Sequence, residues 1–244
     1  MTDTRPPRLG FLYPGHSAED DYLTLAARLS STPVVELVHT SVGEDAHRVD
    51  ALLDLGGRER LAEGAATLAG KVDAVLWACT SGSFVFGRAG AREQADAIGA
   101  QLGVPASSTS FAFVHAVAAV GASRVAIAAT YPEDVAAAFA AFLGEFSIDV
   151  VSVGAEDILT ATEVGTFGPD RVRRFVAAGD HPDADAVLVP DTALHSVDVV
   201  DRLEEDLGKP VLTANQVTMW EALRIAGTDP AADGPGTLFR FGRG

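Results

Sequence analysis

Cysteine and positive charge are both scarce in this chain. Its 244 residues include a single cysteine, Cys79, which excludes an internal disulfide and a zinc site built from clustered cysteines. The 18 Lys and Arg residues stand against 34 Asp and Glu residues, and the formal net charge of −16 provides no basic surface for a phosphate backbone. We therefore expect neither a disulfide-stabilised secreted domain nor a nucleic-acid-binding protein.

Long apolar runs are absent as well. Residues 1–7 contain no apolar stretch of the kind found in a signal peptide. The apolar runs at 74–78 and 125–129 are far shorter than the ~20 residues that a membrane span requires. We therefore expect a cytoplasmic protein without a membrane partner.

The usual cofactor motifs are missing too. Gly56-Gly57 lacks the flanking pattern of a dinucleotide-binding loop, and neither the P-loop motif nor Gly-x-Ser-x-Gly occurs. His39 and His47 have no set of metal ligands beside them in the sequence. The sequence therefore predicts neither a cofactor nor a metal ion.

What is present is a regular alternation of short apolar segments, typical of β-strands, with longer segments of helical periodicity. The predicted strands are 9–13, 34–39, 74–77, 125–129, 149–153 and 186–189. The predicted helices are 19–29, 58–69, 89–102, 111–120, 132–143, 169–178, 197–207 and 217–225. Strands that are buried on both faces and joined by helices predict an α/β fold with parallel sheets.

The chain also repeats itself. VDAVLWACT at 72–80 matches ADAVLVPDT at 184–192, and LGVP at 102–105 is echoed by LGKP at 207–210. In both halves a predicted strand is followed by Tyr-Pro. Chance similarity between α/β sequences is the alternative explanation, but three blocks in the same order favour two lobes of similar plan. We place the lobes at 1–120 and 121–244, with the last helix able to pack back on the first lobe.

Cys79 follows a predicted strand, and ligands of parallel α/β folds bind beyond the carboxyl ends of strands. It opens the turn Cys79-Thr80-Ser81-Gly82-Ser83. The amides of a helix that starts here would lower the pKa of the thiol and, with the hydroxyls, bind a carboxylate. The alternative is an inert buried thiol, and both interpretations stay open.

Asp191 occupies the position of Cys79 in the second copy of the repeat. If the lobes face each other, the two side chains approach one cleft from opposite sides, which suits proton transfer at carbon. The alternative role for Asp191 is to cap the helix that follows, and one residue can do both.

Further candidates lie on the corresponding turns of the two copies. Tyr131 is suited to donate a hydrogen bond to a carboxylate or to pack at the lobe boundary. Loop histidines serve as acids or bases or are simply solvated. The candidate substrate-binding residues are Pro14, Gly15, His16, Thr80, Ser81, Tyr131, Thr192, Ala193, His195 and Asn215.

The Cys79-Thr80-Ser81 turn, its counterpart at 190–192 and the segment 207–227 resemble the aspartate/glutamate racemase superfamily. Within it, they look most like the branch of maleate cis-trans isomerases and arylmalonate decarboxylases. The resemblance covers essentially the whole chain, and Asn-Gln…Trp…Leu-Arg…Gly at 215–227 is its most specific part. It implies two pseudo-symmetric Rossmann-like lobes with parallel sheets, an active site between them and no cofactor.

Racemases and isomerases of this superfamily typically carry one cysteine in each lobe, whereas the decarboxylases keep the second, which protonates an enediolate. Here Cys79 holds the first position and Asp191 the second. The resemblance therefore implies an isomerase of a small dicarboxylic acid, with Cys79 as nucleophile or base and Asp191 as the opposing acid or base. The alternatives are a decarboxylase or racemase of a substituted carboxylic acid and a non-catalytic binding protein. The expected partner is a small carboxylate, and self-association into a homo-oligomer stays open.

Overall fold

The computed structural model describes residues 5–230 and 234–241. Short runs of Val, Leu, Ile and Ala form its strands, as expected for a sheet that is buried on both faces. The strands are β1 (Arg8–Pro14), β2 (Val34–Thr40), β3 (Ala74–Trp77), β4 (Ala106–Ser108), β5 (Arg124–Ala129), β6 (Asp149–Ala155), β7 (Ala186–Val189) and β8 (Val211–Thr213).

Helices connect the strands and cover the sheets. Those of the first half are α1 (Asp20–Arg28), α2 (Val49–Leu55), α3 (Arg58–Ala66), α4 (Ser81–Phe84), α5 (Gly87–Leu102) and α6 (Thr109–Ala119). Those of the second half are α7 (Glu133–Gly144), α8 (Ala161–Val164), α9 (Pro169–Ala178), α10 (Val200–Leu207), α11 (Ala214–Ile225) and α12 (Gly236–Phe241). No helix of the described residues is both long and apolar enough to cross a lipid bilayer.

The strands form two four-stranded sheets with the same topology. The strand order is β2-β1-β3-β4 in the first sheet and β6-β5-β7-β8 in the second, and every pairing is parallel. The predicted α/β fold with parallel sheets is therefore confirmed, and so are all six predicted strands, with shifted ends. The lobe boundaries at 1–120 and 121–244 stay a prediction.

The repeated sequence blocks have the same structural role in each sheet. VDAVLWACT includes β3 and ADAVLVPDT includes β7, the strands in third position in their sheets. In the LGVP and LGKP blocks, Gly103 and Gly208 adopt left-handed φ angles of 69° and 67° at the ends of α5 and α10. Glycine takes this conformation without the steric cost of a Cβ, so both helices stop here and the chain enters β4 or β8.

The two halves are joined by α6 and α11, the helices that follow β4 and β8 and pack against each other. Glu221 of α11 is buried at this junction. Its carboxylate accepts hydrogen bonds from Ser107 Oγ at 2.9 Å and from Arg224 Nε at 2.7 Å, and His115 Nδ1 lies 3.0 Å from it. A charge that is buried but bonded in this way ties β4 and α6 to α11.

Replacing Glu221 by glutamine is expected to lower the free energy of unfolding at neutral pH by about 2 kcal/mol, because the buried partners lose a charged acceptor. Burial alone would raise the pKa of Glu221. The hydrogen bonds with His115 and Arg224 together lower it by more, so the pKa lies below the ordinary 4.5. The ionised group therefore stabilises the fold above that pH, and its contribution is lost as the pH falls through the folded pKa. Urea unfolding measures this effect, and the difference in the free energy of unfolding between wild type and Glu221→Gln should shrink below about pH 4.5. A difference in the free energy of unfolding that does not depend on pH would contradict this account.

Candidate active site

A cavity of about 220 Å³ lies at the carboxyl ends of the strands, between loops from both halves of the chain. Loops after β1, β2, β3 and β7 and the start of α8 form its walls. This is where parallel α/β folds place their ligands, because connections converge at the ends of the central strands. The cavity is lined by Tyr13, Pro14, Gly15, His16, Ser17, Val42, Glu44, Asp45, Ala46, His47, Leu52, Leu55, Cys79, Ser81, Ala161, Thr162, Asp191, Thr192 and Ala193.

The turn after β3 holds Cys79 at the cavity wall. The Gly82 N–H donates to Cys79 Sγ at 3.3 Å, while the Gly82 carbonyl accepts from Trp77 Nε1 at 3.2 Å and from Gln94 Nε2 at 2.9 Å. A Cβ at position 82 would lie only 3.1 Å from both Cys79 Sγ and the Trp77 ring. The small residues of this segment therefore allow a close turn that fixes the position of the sulfur.

Burial controls the acidity of Cys79. The residue is 3% exposed, and removal of the sulfur from water raises the pKa of Cys79 to about 12. The negative charge of Asp191 also raises the pKa, whereas hydrogen bonds from Gly82 and Ser81 lower it by less. The backbone amides lower the pKa as expected, but the cost of burying a thiolate outweighs them, so the expected net lowering is wrong. At neutral pH the burial of the sulfur therefore favours the protonated thiol over the thiolate.

The single cysteine makes this acidity directly measurable, because Cys79 is the only source of thiolate absorbance and a Cys79→Ala protein titrated in parallel subtracts the absorbance of ionising tyrosines. We expect no thiolate signal from the folded protein up to about pH 10, since burial disfavours the charged form. In the urea-unfolded chain, the same thiol should titrate near its ordinary value of 9.0. A folded protein whose thiolate appears below that value would contradict the assignment of Cys79 as a protonated acid.

Asp191 faces the same cavity from the turn after β7. Its carboxylate is 4% exposed, and its Oδ1 accepts a hydrogen bond from the Ala193 N–H at 2.9 Å. Its Oδ2 accepts from the Thr130 hydroxyl. Asp191 thus ties its own turn to the backbone two residues later and lines the cavity with Cys79. The expectation that it caps the following helix is wrong, because that helix, α10, begins only at Val200.

His47 is a member of the site that sequence reasoning missed. It lies on the loop between β2 and α2, is buried, and packs its ring edge-on against Tyr131 with the centroids 4.9 Å apart. Its Nδ1 lies 2.9 Å from the Ile158 carbonyl, which can only accept, so this nitrogen carries a proton. Its Nε2 faces Asp191 Oδ2 at 3.9 Å, within reach of an ion pair when the ring is protonated. No local motif marks this residue, and only the fold brings it to Asp191.

The structure places eight of the twelve sequence-based candidates on the cavity wall: Pro14, Gly15, His16, Cys79, Ser81, Asp191, Thr192 and Ala193. The other four, Thr80, Tyr131, His195 and Asn215, lie outside this lining. His195 Nε2 lies 2.9 Å from Asp20 Oδ1 on α1, so this histidine is not placed to act as an acid or base in the cavity.

Tyr131 and Asn215 lie outside the cavity lining and hold the Asp191 turn through hydrogen bonds to its backbone. The Tyr131 hydroxyl donates to the Pro190 carbonyl at 2.7 Å, and burial raises the pKa of Tyr131 well above its ordinary value, so the donor proton is retained. Asn215 Nδ2 donates to the Thr192 carbonyl at 3.1 Å, which also accepts from the Tyr13 hydroxyl at 2.9 Å. These contacts position the turn that carries Asp191.

Thr80 is buried beside Cys79, and its hydroxyl has no hydrogen-bond partner among the described residues. A buried hydroxyl without a partner is costly, and a ligand oxygen would relieve that cost. Because Thr80 is fully buried and lies outside the cavity lining, its binding role stays a prediction.

The prediction that His39 lacks metal-ligand neighbours is wrong. His16 Nδ1 and His39 Nε2 lie 3.2 Å and 3.1 Å from the same oxygen of Glu19. Together the three side chains form a group able to hold a metal ion, within the described part of the chain. The structure explains the proximity, because His16 follows β1 by two residues and His39 lies in β2, which pairs with β1.

Comparison with known proteins agrees with this geometry. A family model described as arylmalonate decarboxylase matches residues 56–239. The arylmalonate decarboxylase of Bordetella bronchiseptica is 32% identical over 143 residues, a match that spans 56% of this chain and 58% of that protein. A maleate isomerase of Nocardia farcinica is 26% identical over 174 residues, or 69% of each chain.

Solved structures give the same result. A liganded double mutant of arylmalonate decarboxylase superposes with a TM-score of 0.85 and 26% identity, covering 96% of this chain and 99% of that one. A Nocardia farcinica maleate cis-trans isomerase mutant with a covalently bound succinylcysteine intermediate has a TM-score of 0.86 at 22% identity, covering 96% and 98%, and shows the fold alone. The resemblance to this branch of the aspartate/glutamate racemase superfamily is confirmed, and the chain belongs to the arylmalonate decarboxylase family.

Proposed function

We propose that this protein decarboxylates a small malonic acid carrying one apolar substituent, without a cofactor. The observation that carries the proposal is the state of Cys79, whose buried thiol has a pKa of about 12. Such a group is a proton donor, and a decarboxylase needs a donor for the carbanion that remains when carbon dioxide leaves. Membership of the arylmalonate decarboxylase family supports the same reaction class.

The reaction requires one bond to break and one to form. The bond between the α-carbon and one carboxylate breaks, carbon dioxide departs, and its electron pair remains on the α-carbon as an enediolate. The Cys79 thiol then gives its proton to that carbon. The resulting thiolate regains a proton from solvent, and the adjacent Asp191 and His47 provide a route because they line the same cavity.

Hydroxyls, rather than cations, bind the carboxylates in this proposal. No Lys or Arg is found among the described residues that line the cavity. The Ser81 hydroxyl lies on its wall and the unpartnered Thr80 hydroxyl lies behind it. The Ala193 N–H is already bonded to Asp191, so the remaining donors come from Thr80, Ser81 and Thr192. A low-dielectric site without cations destabilises a dianion and thereby favours loss of carbon dioxide.

The apolar part of the cavity sets the substrate class. Val42, Leu52 and Leu55 contribute apolar side chains to the cavity lining. A substituent of apolar or aromatic character on the malonate α-carbon would bury its surface against these side chains, gaining about 25 cal/mol for each Å² removed from water. Unsubstituted malonate makes no such contacts and is expected to be a poor substrate.

Isomerisation of a cis dicarboxylate is the second candidate, because Asp191 stands close enough to Cys79 for its charge to raise the thiol pKa. In this mechanism Asp191 removes the thiol proton, the thiolate adds to the double bond, the single bond rotates and elimination restores the alkene. The maleate isomerase relatives support it. Racemisation would use the same two groups on opposite faces of one carbon.

A panel of substrates distinguishes these functions. Phenylmalonate, maleate and one enantiomer of an arylpropionate are each incubated with wild type and with Cys79→Ala. We expect carbon dioxide from phenylmalonate with wild type alone. Fumarate from maleate would support the isomerase, loss of optical rotation would support a racemase, and binding without turnover of any compound would support a non-catalytic protein.

A further inference from the structure

His16, Glu19 and His39 form a cluster beside the cavity, of which His16 is a lining residue, and we refer to it as the His–Glu–His cluster. The proposed decarboxylation does not use it. His16 belongs to the loop after β1, Glu19 precedes α1 and His39 lies in β2. Three side chains of the types that bind transition metals, two histidines and one glutamate, thus come together from separate elements.

The spacing of the ligand atoms fits a metal ion. Zn²⁺ binds histidine nitrogen and carboxylate oxygen at about 2.0–2.1 Å, so two ligands at tetrahedral angles lie about 3.3 Å apart. The observed separations from Glu19 Oε1 are 3.2 Å to His16 Nδ1 and 3.1 Å to His39 Nε2. An ion therefore needs little rearrangement of the three side chains.

The cluster is also held in place by its surroundings. Glu19 Oε2 accepts a hydrogen bond from the Ser17 N–H at 2.7 Å, which turns Oε1 toward the two histidines. The two imidazole rings lie in contact, with centroids 3.8 Å apart and planes tilted by 33°, and Tyr13 packs edge-on against His39. Contacts that orient ligands in this way are a regular part of metal sites.

We propose that the His–Glu–His cluster is a binding site for one Zn²⁺ ion. The two histidines and Glu19 supply three ligands, and water or a carboxylate from solution takes the fourth position, as in open zinc sites. The formal charge of −16 favours accumulation of cations at the surface of the chain. Because His16 also lines the cavity, a bound ion would lie beside it.

The test is titration of the tag-free, metal-stripped protein with Zn²⁺ by calorimetry, with Co²⁺ absorbance as a second readout of nitrogen ligation. Wild type is expected to bind one ion, and His16→Ala and His39→Ala are each expected to weaken affinity by at least ~10-fold through loss of a ligand. The His16 side chain is 74% exposed, so its removal should not disturb folding.

His181→Ala is the matched control, because His181 is a part-exposed histidine with one acidic neighbour, Asp183. It should bind Zn²⁺ as wild type does. Equal affinity of wild type and both cluster variants, or no Zn²⁺ binding by wild type, would show that the cluster is held by hydrogen bonds only. None of these measurements depends on enzymatic turnover.

Discussion

The Cys79→Ser protein is expected to lose decarboxylation almost completely while keeping its fold. The thiol is the proton donor of the proposed reaction, and a serine hydroxyl is a far weaker acid in the same buried position. We expect kcat to fall by roughly 1,000-fold, within the range that general acid catalysis contributes. Steady-state kinetics with a phenylmalonate substrate, together with a thermal unfolding curve, measures both consequences.

Ser83→Ala is the matched control for this substitution. Ser83 lies on α4, the short helix that follows Cys79, and its hydroxyl is buried in a hydrogen bond with Ser108 at 2.9 Å, away from the cavity lining. Its loss perturbs α4 without removing an acid, so most of the activity should remain. Undiminished turnover by Cys79→Ser would contradict the proposed mechanism, and equal losses in both variants would indicate a merely structural effect.

The Asp191→Asn protein is expected to show two changes of different kinds. Its kcat should fall by about 100-fold, because the group that returns a proton to Cys79 is gone. The pKa of the Cys79 thiol should move down, because the negative charge of Asp191 raises it in the wild type. Kinetics measures the first change, and thiolate absorbance against pH measures the second.

Asparagine keeps an oxygen for the Ala193 N–H, so the turn should survive the substitution. Asp21→Asn is a suitable control, because Asp21 is also a buried carboxyl but accepts from Asn215 and from the Ser196 backbone outside the cavity lining. The control should leave the Cys79 titration unchanged. An Asp191→Asn protein with an unaltered titration would show that the two groups are not electrostatically coupled.

The fold was largely readable from the sequence because its signals are local and occur twice. VDAVLWACT and ADAVLVPDT predict equivalent strands, and the structure places them in equivalent positions of two sheets. The strands β4 and β8 were missed because each has three residues, too few to show a period. The helices α2, α8 and α12, of four to seven residues, were missed for the same reason, whereas a helix after Cys79 was expected and is α4.

Residues of the site could be predicted from the sequence only where the topology of the sheets brings them close together. Parallel sheets bring the ends of β3 and β7 to corresponding edges, so the placement of Cys79 and Asp191 on one cavity followed from the repeat. His47 lies on a long loop whose path no pattern predicts. The acidity of Cys79 depends on complete burial, which outweighs the local amides and cannot be deduced from the turn alone.

The central claim is that Cys79 delivers a proton to a carbanion, and reaction of phenylmalonate in deuterated water tests it most directly. We expect carbon dioxide release and a monocarboxylic product with one solvent deuterium at the α-carbon, formed as a single enantiomer because one donor serves one face. Cys79→Ser should form this product far more slowly. Absence of carbon dioxide, together with conversion of maleate to fumarate without deuterium, would contradict the claim and establish addition and elimination instead.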